Sequence, residues 1–94
     1  MNLSVFFAEF LGTFIFVLSI LTTTNPFFIA ASFLAAITLI SKISGGHINP
    51  VVSLAMYMNG SINMNQLMVY IPAQIVGAVL AYFVFKYLFK KSSS

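Results

Sequence analysis

The sequence predicts an all-α membrane protein, three transmembrane helices plus one re-entrant half-helix, with residues 1–94 forming a single membrane domain. Three observations lead there. Only 5% of the residues are charged and 61% are hydrophobic, whereas a soluble domain carries about 25% charged residues. A surface so poor in charge has to face lipid. Three apolar stretches also reach the roughly 20 residues that a helix needs to cross a hydrocarbon core of about 30 Å. A fourth, between two of them, is far too short to cross.

In chain order, Leu3 to Leu21 is long enough to span, and Glu9 is its one charge. Met1-Asn2 offers no basic leader, so this stretch is expected to be a retained helix and not a cleaved signal. Thr22-Thr23-Thr24-Asn25 reads as a polar turn. Asn25-Pro26 then pairs a helix-capping side chain with proline at the first helical position. The second helix is expected from Pro26 to about Ile43, and Ser44-Gly45-Gly46-His47 breaks it. Asn49-Pro50 repeats the capping signal and opens the short helix, Pro50 to about Met58, which Asn59-Gly60 ends with a turn or left-handed cap. Asn65 to Phe89 is the third full span, with Pro72 inside it and Lys86, Lys90 and Lys91 towards its end.

The short helix carries the functional information. From Pro50 to Met58 it rises about 13 Å at 1.5 Å per residue, less than half the core. Lying between two full spans, it reads as re-entrant. Its irregular lead-in, Ser44 to Ile48, would leave backbone polar groups unpaired in lipid. Such backbone is tolerated at membrane depth only where protein buries it or it lines a water-filled cavity. The sequence therefore implies a cavity.

The net charge is +3, which by itself would admit a nucleic-acid partner. Three of the four lysines lie at the end of an apolar helix, however, as in a membrane-surface anchor, so nucleic acid is not expected. The chain has no cysteine, hence no disulfide framework or thiolate metal site. No nucleophile–base pair, metal cluster or phosphate loop is legible. Neither an enzyme nor a cofactor is expected.

The run Ser44-Gly45-Gly46-His47-Ile48-Asn49-Pro50-Val51-Val52 resembles the first signature loop of the aquaporin (major intrinsic protein) family, Ser-Gly-x-His-x-Asn-Pro-Ala-Val. Ala8-Glu9-Phe10-x-Gly12-Thr13-x-x-Phe16 looks like that family's first helix, and Ala73-Gln74-x-x-Gly77-Ala78 like its third. These landmarks follow the family's order and span nearly the whole chain. The resemblance implies half of an aquaporin-like fold, resembling the first of two repeats. In two respects the chain departs from the pattern: Val51 stands where alanine is usual, and the second repeat is not present in these residues.

Asn49 is the first candidate. A helix N-terminus leaves backbone N–H groups unpaired and carries roughly half a positive charge. With the Asn49 amide it would hold the oxygen of a passing water, interrupt proton hopping and oppose cations; the plain alternative is an ordinary N-cap. The resemblance implies that His47 lines the pore, against a histidine that braces the loop through a backbone carbonyl. Gly45 and Gly46 permit close approach or positive φ, and their carbonyls would be acceptor steps along a channel or merely part of a turn. The resemblance also gives Glu9 the role of bracing the loop by accepting from backbone N–H groups, with Gln74 in the same polar network. The rival is a proton-coupled transport site, since a charge at this depth costs about 2.5–3.5 kcal/mol unless partnered. Counting from the family's selectivity filter, Val52 falls where an arginine is usual and Ile29 at the filter position of the second helix. Val52 and Ile29 would make an apolar constriction suited to small neutral solutes, while Val51, beside Pro50 and larger than alanine, would narrow or reshape the pore centre.

One half-helix of about 13 Å cannot bridge 30 Å, whereas two meeting tip to tip nearly do. The expected function is a passive channel for water or small neutral solutes, closed by an inverted second copy, with further assembly of such dimers open. A non-conducting half that needs another partner, and a small dual-topology exporter driven by Glu9, are the alternatives. An in-plane two-fold axis requires chains in both orientations. Lys42 lies on the N-terminal side and Lys86, Lys90 and Lys91 on the other, a modest preference for a cytoplasmic C-terminus; the resemblance implies the reverse.

Overall fold

Each of the four α-helices among the described residues opens on an asparagine whose side chain accepts from backbone N–H groups that the first turn leaves unpaired. In the computed structural model, which describes residues 2–89, Asn2 accepts from Val5 N at 3.2 Å and starts α1 (Leu3–Thr22). Asn25 accepts from Phe27 N and Phe28 N and starts α2 (Pro26–Ser44). Asn49 accepts from Val51 N at 2.8 Å and starts α3 (Pro50–Met58). Asn63 accepts from Gln66 N while the Gln66 side chain accepts from Asn63 N, a capping box that starts α4 (Met64–Val84). This last helix continues as a π-helical turn over Phe85–Phe89. Lys90, Lys91 and the serines after them, part of the expected basic end, lie outside the described residues.

The four expected helices are present, with shifts at their ends. The second runs to Ser44, because Gly45 at φ 86° supplies a left-handed cap only after it. The fourth begins one residue early, where the capping box places it. The half-helix ends in a Schellman motif: Gly60 at φ 79° lets Ser61 N donate to Met56 O and Gly60 N to Tyr57 O. The three long helices are each long and apolar enough to cross a membrane.

Helix α1 is the centre of the molecule, packed against α2 on one side and α4 on the other, while α3 rests on α4. Ala8, Ala36, Ile40 and Ile48 form the buried apolar cluster, with Ile15, Phe16, Phe33 and Ile37 against it. Two glycines set the spacing. A Cβ on Gly77 would stand 2.5 Å from the Phe10 carbonyl oxygen, so α4 lies directly on the backbone of α1. A Cβ on Gly12 would meet Ile40 Cδ1 at 2.7 Å and Ile48 Cδ1 at 3.2 Å, in the space through which the loop reaches α1. Because the obstacle at position 77 is backbone, Gly77→Ala is expected to push α1 and α4 apart and destabilise the fold by about 1–3 kcal/mol. Equilibrium unfolding in detergent measures this, and an unchanged transition would remove the close contact at Gly77.

Candidate functional site

The site is organised by one carboxylate. Glu9 is fully buried, on the face of α1 that also carries Thr13. Its Oε2 accepts from Ser44 Oγ at 2.6 Å and His47 N at 3.0 Å. Its Oε1 accepts from Ile48 N at 2.7 Å and Gln74 Nε2 at 2.9 Å. Every neighbour donates, which suits the carboxylate form, a group that only accepts. The end of α2, the loop and α4 are thereby tied to α1 at one point.

The loop backbone is shaped to make this possible. Gly45, Gly46 and Ile48 all have positive φ, Ile48 at 59°. For a β-branched residue that conformation is strained by about 1–3 kcal/mol and persists only where surroundings hold it. Three contacts hold Ile48: its N–H on Glu9, its carbonyl accepting from Thr13 Oγ1 at 3.4 Å, and its side chain in the apolar cluster beside Gly12. Gly46 N donates to Ser44 Oγ at 3.2 Å, and Tyr70 Oη donates to the Ser44 carbonyl.

His47 is buried and lies flat on the Tyr70 ring, with centroids 4.1 Å apart and planes at 15°. Its Nδ1 is 2.8 Å from Ser53 Oγ on α3, and Ser53 Oγ accepts from Gln74 Nε2 at 2.9 Å. The histidine thus meets a serine hydroxyl, not the backbone carbonyl of the alternative bracing reading.

The rest of the loop's polar backbone is left without partners. Among the described residues no donor reaches the carbonyls of Gly45, Gly46 or His47, and no acceptor reaches Val52 N. Asn49 turns its Oδ1 to its own helix, which leaves the Nδ2 donors at the exposed tip of α3. Pro50 is exposed there too, with Val51 at 71% and Val52 at 40%. Three consecutive unpartnered carbonyls therefore precede, in the chain, a cluster of donors at the positive end of a helix. Ile29 is half-buried in the first turn of α2, about 22 Å along the axis from Ser44 at 1.5 Å per residue, and belongs to neither group.

Glu9, His47 and Gln74 are thus brought into one cluster, while Asn49, Pro50, Val51 and Val52 form the exposed tip. Sequence reasoning did not single out Ser53 or Tyr70, and it took Thr13 and Ser44 as landmarks without a role in the site. A signal existed for three of them. Tyr70 lies four residues before Gln74, Thr13 four after Glu9 and Ser53 four after Asn49, so each shares a helix face with a residue already singled out.

The chain matches the family described as Major intrinsic protein over residues 1–94. It is 39% identical over 85 residues to glycerol uptake facilitator protein-like 6 of Lactiplantibacillus plantarum, covering 81% of this chain and 39% of that protein. It is 36% identical over 87 residues to aquaporin-5 of Rattus norvegicus and of Homo sapiens, covering 78% of this chain and 32% of each relative. The matched stretch therefore spans 32% to 39% of the length of these relatives. No solved structure matches it.

Proposed function

This chain belongs to the major intrinsic protein family, and on that premise we propose that it is one half of a passive channel for water or small neutral solutes, completed by a second, inverted copy of itself. The observation that carries the proposal is the loop's unpartnered backbone. Three consecutive carbonyls accept, and the tip of α3 donates through Asn49 Nδ2 and Val52 N. A water that gives its hydrogens to the carbonyls and its oxygen to the tip is held in one orientation, and proton hopping along the file is interrupted. The tip is apolar and uncovered at Val51 and Val52, and α3 rises only about 13 Å, so a second half-helix has both a face to meet and a span to complete. The surroundings of Glu9 favour a bracing role over a proton-driven exporter: three of its four partners, His47 N, Ile48 N and Gln74 Nε2, can only donate, and they tie the loop and α4 to α1.

The test has two parts. Vesicles containing only this chain should shrink under an osmotic gradient faster than empty vesicles. Tags at either terminus, probed in intact cells, should each be accessible from both sides of the membrane. Flux from chains of uniform orientation would overturn the inverted dimer, and no flux from chains of mixed orientation would overturn the self-sufficient pore.

A further inference from the structure

The structure assigns Ser53 and Gln74 the task of fixing which nitrogen of His47 carries the proton, so that Nε2–H is left as a free donor. The chain of reasoning begins at the buried carboxylate. Gln74 is 1% exposed, and its Nε2 spans Glu9 Oε1 and Ser53 Oγ, each at 2.9 Å. Both amide hydrogens are thereby used. Turning the amide over would set its oxygen against the carboxylate, so the charge of Glu9 holds it in this orientation. The cost is visible: Gln74 Oε1 is buried with no donor among the described residues, an arrangement normally avoided. Since Gln74 donates to it, Ser53 Oγ is left to donate its own hydrogen, and His47 Nδ1 at 2.8 Å is the acceptor in reach. A neutral imidazole that accepts at Nδ1 carries its hydrogen on Nε2. That nitrogen has no partner among the described residues and is not enclosed. Stacking on Tyr70 fixes the ring plane, so the direction of the N–H is fixed as well.

The consequence rests on the channel reading: His47 would add a donor beside the carbonyl row and favour solutes that present a lone pair at that point. The proton's position does not rest on it. His47 is the chain's one histidine, so 15N-histidine labelling of the full chain in lipid bilayers reports on this ring alone. At a pH where the ring is neutral, the parent chain should show Nε2 protonated and Nδ1 bare, by roughly tenfold or more given the cost of an unpaired buried donor. Ser53→Ala should lower that ratio several-fold, and Ser53→Thr should restore it. A parent spectrum dominated by Nδ1–H overturns the assignment even if Ser53→Ala fails to fold, and an unchanged ratio in a folded Ser53→Ala variant overturns it too. Vesicles without flux but with Nε2–H would sink the channel reading and leave this one standing; flux with Nδ1–H would do the opposite.

Discussion

Glu9→Gln is expected to be among the most damaging single substitutions in this chain, although it preserves shape and removes a buried charge. Glutamine offers one acceptor oxygen and an NH2 that only donates. With the NH2 on the Oε2 side, His47 N is set against it, while Ser44 Oγ can turn to accept and give its hydrogen to Ile40 O; on the Oε1 side the NH2 faces two donors, Ile48 N and Gln74 Nε2. A buried donor left unpaired costs about 1–3 kcal/mol, so the better placement still loses at least that much. The loop should release first, because Ile48 keeps its strained φ partly through the bond to Glu9. Equilibrium unfolding in detergent, together with protease sensitivity between Gly45 and Asn49, measures this. The sign of the result separates two roles. A Glu9→Gln variant as stable as the parent but deficient in transport would indicate that a proton on this carboxyl takes part in function. A destabilised variant whose loop opens indicates a brace.

Asn49→Asp is expected to leave the fold intact and to change what crosses. Asparagine and aspartate cap helices about equally well, so the bond from Val51 N to Oδ1 survives the exchange. The Nδ2 donors are lost, and a carboxylate replaces them at the tip of α3. It offsets the roughly half positive charge of the helix end, and in an inverted pair the two copies bring two carboxylates together. The parent chain in vesicles should pass water and exclude cations and protons, whereas Asn49→Asp should raise cation or proton leak at matched protein density. Asn49→Ala serves as the control: it removes the cap, costs about 0.5–2 kcal/mol, and should lower stability or water flux without admitting cations. A folded Asn49→Asp variant that conducts water and stays as tight as the parent would exclude Asn49 from the ion barrier.

Much of the architecture was legible because its causes are local. Each asparagine cap acts within three residues, so Asn25-Pro26 and Asn49-Pro50 announced α2 and α3 without knowledge of the rest. The start of α4 was misplaced because Asn63 and Asn65 both lie before the span, and only the reciprocal bond with Gln66 distinguishes them. At the site, Glu9 stood out as the one acidic residue in an apolar helix, and the break around Gly45 and Gly46 marked the loop. The residues that complete the cluster around it did not stand out. Ser44, Ser53 and Tyr70 are common residues in helices, and what they bond across elements lies 21 to 35 positions away in the chain.

Ile48 shows the boundary most clearly. Nothing in the sequence suggests left-handed backbone at a β-branched residue beside two glycines that adopt it at little cost. It takes that conformation because Glu9 accepts its N–H, Thr13 donates to its carbonyl and Gly12 leaves room for its side chain, all from α1. The sequence by itself determined that the chain spans lipid three times and re-enters once, since hydropathy, length and capping are properties of contiguous residues. Which atoms the loop hides on Glu9 and which it leaves open, the row of carbonyls and the Asn49 amide, was decided only by tertiary structure. A buried hydrogen bond depends on distance and direction in space, and at this site those are set jointly by α1, the end of α2 and α4.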